Sequence, residues 1–159
     1  MQGRMKEHQL TEAEIRDFLS KVPVGRLGTL NEDGYPYIVP VHFYYEQGHI
    51  FIHGLKQGQK IENLKKRQEV CFETDEMFAI IPDENVCDTN TSYNSVIALG
   101  EASVIEDESE KTDVLNKIVR KYTPHLEGHE FQPGLYKATG IIDIKLEKIT
   151  GKYYLNPVN

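Results

Sequence analysis

The sequence predicts a mainly β protein, a small and largely antiparallel β-barrel with flanking helices. Runs rich in β-branched and aromatic residues recur along the chain, and short glycine-containing turns such as NEDG and EQGH join them, as hairpin pairing requires. The run YPYIVPVHFYY carries two prolines and NSVIALGEASVIE a central glycine; such interruptions bend strands and curl a sheet toward closure. A chain of 159 residues suits a single domain with a core of its own, an N-terminal helical segment over 1–23 and a barrel core over 24–154.

The elements follow in order. Thr11 and Glu14 form a capping-box pair, and Ile15, Phe18, Leu19 and Val22 recur at helical spacing, so a helix is expected over about 12–21. GRLGTL (25–30) reads as a strand, NEDG as a turn, 35–45 as one long strand, and HIFIHG as the next. A short helix over 60–67 places Ile61 and Leu64 inward, and EVCFETD is a further strand. Between Glu76 and Thr91 the pattern fades around Pro82 and DENVCDTNT, which reads as a long loop. A strand over 94–106 follows, with Gly100 at a bend. Asp107 and Glu110 cap a helix whose apolar face is Val114, Leu115, Ile118, Val119 and Tyr122, and Pro124 stops it. Residues 125–136 read as irregular, and TGIIDIKLEKI (139–149) alternates by two and closes the sheet, for roughly six strands in all.

Composition excludes several classes. With 18 basic against 25 acidic residues the net charge is −7, which disfavours binding to a phosphate backbone. No apolar run reaches the roughly 20 residues needed to span a bilayer, and MQGRMKEHQL lacks the apolar region of an export signal, so no membrane partner and a cytoplasmic address are expected. Cys71 and Cys87 are the only cysteines and lack metal-ligand spacing; no HExxH, GxSxG or acidic metal cluster occurs, so no metal site is expected.

Chemistry concentrates in FIHGLKQGQKIENL, where a strand ends at His53-Gly54 and a helix begins after Gly58. A helix start offers unpaired N–H groups and a partial positive charge, glycines allow close approach, and Lys56 and Lys60 add charge, a combination that stabilises a phosphate. Two readings fit this joint equally well: an anion-binding corner, or a tight loop before a solvated basic helix. It is neither the Walker nor the Rossmann pattern. A histidine at a strand end is more often a hydrogen-bonded polar residue than a catalyst, and His42 and His49 share that reading. Since no side-chain constellation supplies a reaction, chemistry here would come from a cofactor.

Four stretches in order, VGRLGTLNEDGYPYIVPVHFYYEQGHIFIHGLKQGQKIENL, VCFETD, YNSVIALGEASVIED and the closing ITGK, resemble the pyridoxamine 5′-phosphate oxidase-like split-barrel flavoproteins, and within them the nitroimidazole-resistance (Nim-type) branch. The resemblance runs from about Val24 to Lys152. It implies a six-stranded antiparallel split barrel of Greek-key, FMN-binding type, a homodimer with FMN at the interface. Carried over residue by residue, it implies a phosphate near Gly58 and Lys60, with Lys56 secondary, and flavin-side contacts from Ile38, Val39, Pro40 and Val41. His53 and Gly54 would lie beside the cofactor, with His53 the candidate catalytic residue, and Tyr93 and Ser95 would reach the site from the partner subunit. Asn94 stands where the branch often has arginine, and the chain lacks the C-terminal extension that helps pyridoxamine-phosphate oxidases hold substrate, so vitamin B6 oxidation is not expected.

The function this implies is an FMN-dependent oxidoreductase taking electrons from NADH or NADPH and reducing a small acceptor, a nitroaromatic being one candidate. The alternative is a non-enzymatic flavin- or haem-binding module. An oligonucleotide-binding barrel is disfavoured by the net charge and by the lack of lysines interleaved with the strand aromatics.

Overall fold

The computed structural model describes residues 7–154; residues 1–6, part of the stretch read for an export signal, and 155–159 lie outside it. Seven strands form one sheet: β1 (Gly25–Leu30), β2 (Pro36–Val41), β3 (Phe43–Glu46), β4 (His49–Leu55), β5 (Glu69–Ile81), β6 (Asn90–Val104) and β7 (Thr139–Tyr154). Every pairing is antiparallel, in the order β2-β1-β5-β6-β7-β4-β3. The two end strands, β2 and β3, are separated in the chain by His42 alone. Covalent continuity therefore bends the sheet round until its ends meet, and the result is a barrel split along one seam.

The stretch 35–45, expected as one strand, is thus two, and the six expected strands become seven. The break is held by a side chain distant in sequence. Phe43 N donates to the Tyr122 hydroxyl oxygen at 2.9 Å, and the hydroxyl proton is shared between Phe43 O at 3.0 Å and Pro23 O at 2.9 Å. These contacts satisfy backbone groups that a continuous ladder would otherwise have paired. The prolines fall in β2, which has β1 as its sole strand neighbour, where a missing N–H costs no ladder bond.

Among the described residues four α-helices flank the sheet: α1 (Glu12–Lys21), α2 (Gln59–Lys66), α3 (Glu108–Tyr122) and α4 (Pro133–Ala138). The capping box forms as the sequence predicts, Glu14 N donating to Thr11 Oγ1 and Thr11 N to Glu14 Oε2. Asp107 Oδ1 accepts from Glu110 N at 2.8 Å and starts α3. Gly100 sits at a β-bulge between β6 and β7, where a Cβ would lie 2.2 Å from Lys145 O.

Three further expectations change. The loop expected over 76–91 is mostly a hairpin: β5 continues to Ile81 and β6 starts at Asn90. The residues from Asp75 to Ile80 are exposed, so no inward face imposes the alternation that announces a strand. The irregular segment contains α4, too short to show helical periodicity, and β7 runs on to Tyr154.

Two apolar clusters fill the fold. Leu27, Phe43, Ile50, Ile52, Phe72, Val96 and Ile144 fill the barrel, closed by Ile15, Phe18 and Leu19 of α1 and Ile61 and Leu64 of α2. On the outer side, Val114, Leu115 and Ile118 of α3 pack on Ile141, Tyr44 and Phe51. Helix α3 therefore covers the β3–β4–β7 part of the outer surface. The β2–β1–β5–β6 part stays bare, with Ile38, Ile97 and Leu99 exposed at 62, 48 and 42%.

Tyr122→Phe keeps the ring and removes the hydroxyl that serves Phe43 and Pro23. The variant is expected to lose about 1–3 kcal/mol of stability in urea denaturation, the cost of leaving a buried backbone group unsatisfied.

Candidate functional site

The seam delivers the C-terminal end of β2 to β4. His42, exposed, stacks on Tyr122 with ring centroids 4.4 Å apart, and its ring lies 6.0 Å from that of His53. His53 is half-buried on β4, opposite Ile141. One residue on, Gly54 pairs with Gly140, and a Cβ at Gly54 would lie 3.1 Å from Lys60 Nζ. The absent side chain is what lets the ammonium rest against the strand. Burial first, then the nearby His42 and Lys60 charges, push the His53 imidazole below its ordinary value of 6.5, so the neutral ring prevails at neutral pH.

Helix α2 begins at this corner without a side-chain cap. Gly58 is the N-cap with φ 114°, a conformation that favours glycine, and it has no side chain to bond the first turn. A buried polar network fixes the helix. Asn63 Nδ2 donates to Thr29 Oγ1 and to Asn31 Oδ1, each at 2.9 Å, and Asn63 Oδ1 accepts from Gln59 Nε2 at 2.8 Å. Lys60 forms no ion pair among the described residues. An uncapped helix start, glycines and an unpaired ammonium at one point have the donors, charge and access that a phosphate monoester needs. Lys56 differs: its stem lies over Gly140 and its charge is felt at Glu108.

The remaining candidates divide. Val39 and Val41 turn their side chains to the core, and Ile38 and Pro40 face outward on β2, which has a free edge. Tyr93 and Ser95 stand at the other end of the sheet, paired with Tyr154 and Lys152. The length of β7 from Gly140 to Tyr154 separates them from Gly54, on the order of 40 Å of strand at about 3.3 Å per residue. A single copy thus gathers Val41, His53, Gly54, Gly58 and Lys60, and leaves Tyr93 and Ser95 apart. Sequence reasoning missed Tyr122 as the stacking partner of His42, since nothing local ties residue 122 to the seam.

The family profile described as pyridoxamine 5′-phosphate oxidase matches residues 11–153. The chain belongs to this family. Among solved structures, it is similar to a candidate 5-nitroimidazole antibiotic resistance protein from Bacteroides thetaiotaomicron, at 23% identity over 91% of this chain and 86% of that one, with a TM-score of 0.80. It is also similar to an FAD- and haem-binding protein of Mycobacterium smegmatis (16% identity, 94% and 74% covered, TM-score 0.84). A flavocytochrome of Azotobacter vinelandii is alike to a similar degree (20%, 92% and 68%, 0.81). At these identities the solved structures establish the split-barrel fold. None of the curated proteins matches the chain. Among the described residues no helix is long and apolar enough to cross a membrane.

The depressed His53 makes a pH prediction. The unfolded chain binds a proton near 6.5 while the folded chain resists it, so stability falls as pH drops below that value toward the folded one. Urea midpoints measured between about pH 5 and 8 should fall on the acid side in the native protein, and the slope should flatten in His53→Asn.

Proposed function

We propose that this chain binds FMN and acts as an FMN-dependent oxidoreductase, taking electrons from NADH or NADPH and reducing a small acceptor such as a nitroaromatic. One observation carries the reading: the unpaired Lys60 ammonium, the uncapped α2 start at Gly58 and the half-buried His53 converge where the barrel seam opens. Lys60 and the first N–H groups of α2 would hold the phosphate. The backbone of Ile38, Val39, Pro40 and Val41, on the free edge of β2, would face the ring system. The flavin would supply the electron storage and hydride chemistry that the side chains lack. His53, neutral at rest, has one ring nitrogen that donates and one that accepts, and so can hold or pass a proton beside the acceptor. Excluding water falls to the seam residues His42 and Tyr122 and to a second copy of the chain.

Two features support that second copy. The bare apolar outer face, with Ile38, Ile97 and Leu99, needs cover that α3 does not give. Tyr93 and Ser95 are remote from Lys60 within one copy and would reach the cofactor of the other. The reading is thus a homodimer with two shared sites, in the cytoplasm. The solved relatives named for FAD and haem favour a second reading, a flavin- or haem-binding module without turnover. Oxidation of NADH or NADPH with a panel of acceptors separates the two.

The mass of the chromophore released from purified protein identifies the flavin. Lys60→Ala is expected to weaken FMN binding about tenfold or more, the loss of one charge-assisted contact, and to leave riboflavin binding unchanged. Equal FMN affinity in variant and native protein would remove the phosphate from this corner.

A further inference from the structure

A second cation stands unpaired at the opposite end of the barrel. Lys152, half-buried near the end of β7, forms no ion pair among the described residues; its ammonium lies 5.6 Å from the centre of the Tyr93 ring. It opens on a cavity of about 250 Å³ lined by His8, Thr89, Thr91, Tyr93 and Tyr154 as well. Among the described residues no aspartate or glutamate lines it, in a chain with 25 of them.

Three other cavities differ in this respect. The trough over β1 and β5 is lined by Glu69 and Glu147, the groove beside α2 by Glu106, and the hollow between α3 and α4 by Glu130. The cleft near Tyr44 has three cations, and all are engaged: Lys117 with Glu46 and Asp113, Arg120 with Glu127, and Lys121 with Leu19 O.

The donors around Lys152 point to an anion. Thr89 Oγ1 already accepts from Asp83 N at 3.3 Å, which leaves its hydroxyl proton to give. Thr91, Tyr93 and Tyr154 add hydroxyls. His8 packs edge-on against Tyr153 and Tyr154, and its Nδ1 is buried without a partner. An ammonium among hydroxyls with no carboxylate repels a metal ion and suits an oxyanion. The cavity has room for a small carboxylate or phosphate ester.

We infer that this cavity is an oxyanion site, and that Lys152 selects acceptors bearing a carboxylate or phosphate. Lys152 pairs across the sheet with Ser95, and Tyr154 with Tyr93, so an anion held here lies beside the residues that would reach the partner's cofactor. The identity of the anion as the reducible acceptor rests on the proposed function; its binding does not.

The test has a binding arm and a turnover arm. Inorganic phosphate and benzoate, titrated separately into ¹⁵N-labelled full-length protein, should shift the Thr91, Tyr93 and Lys152 amides saturably, and the anion that does so identifies the source. Lys152→Gln should weaken that binding at least about tenfold, Lys152→Arg should restore most of it, and Lys60→Ala should leave it intact. Shifts that vanish in Lys60→Ala and persist in Lys152→Gln would assign the anion to the α2 corner and overturn the inference, as would no shift at Tyr93 with either anion. In the turnover arm, Lys152→Gln should raise KM for 4-nitrobenzoate about tenfold and leave nitrobenzene unchanged; equal losses for both would overturn the role in selection. If neither acceptor is reduced by native protein, the reductase reading falls and the binding arm alone decides the site.

Discussion

The fold depends on where the chain is allowed to stop pairing. β2 and β3 are consecutive in sequence and lie at opposite ends of the sheet, and one residue, His42, joins them. A strand broken at one residue leaves backbone groups that must find other partners, and the partner is the Tyr122 hydroxyl. That hydroxyl sits at the end of α3, so the helix that covers the β3–β4–β7 part of the outer surface is also the helix that closes the seam. Lys121, next to it, reinforces the junction: its ammonium lies 3.7 Å from the centre of the Phe43 ring and donates to Leu19 O, and burial pushes it down to about 8. The seam in turn sets His42 beside His53, and with them the chemistry of the corner.

Legibility in the sequence follows how local each determinant is. The capping residues Thr11, Glu14 and Asp107 act within three residues of themselves and mark two helices correctly. Gly100 announces a bulge because a glycine inside a strand has few other uses. The seam was not legible: PVHFYY has the composition of an unbroken strand, and its breaking partner is 79 residues away. The outer hairpin was illegible for a different reason, since a strand exposed on both faces has no alternation to read. Lys56 and Lys60 look equivalent in GLKQGQK. The fold separates them, because Gly54 admits the Lys60 ammonium against the strand that holds His53, while Lys56 lies over Gly140 and is felt at Glu108.

The two half-buried, unpaired lysines share a physical predicament. Each is half-buried and, among the described residues, lacks the counter-charge that an acidic chain could readily have supplied; Lys21, Lys65, Lys66 and Lys117 all have one. Desolvation without a partner costs stability, and the deficit is recovered when an anion binds the native state. Both positions therefore have the energetic form of ligand sites, and they lie at opposite ends of β7.

Lys60 also ties anchoring to protonation. After burial and His42, its charge is one of the causes that lower the proton affinity of His53. On the proposed reading a phosphate at the corner would offset that contribution, while burial, the largest cause, would remain. The same lysine would supply both effects, and it can do so because Gly54 has no side chain to hold it away from the strand.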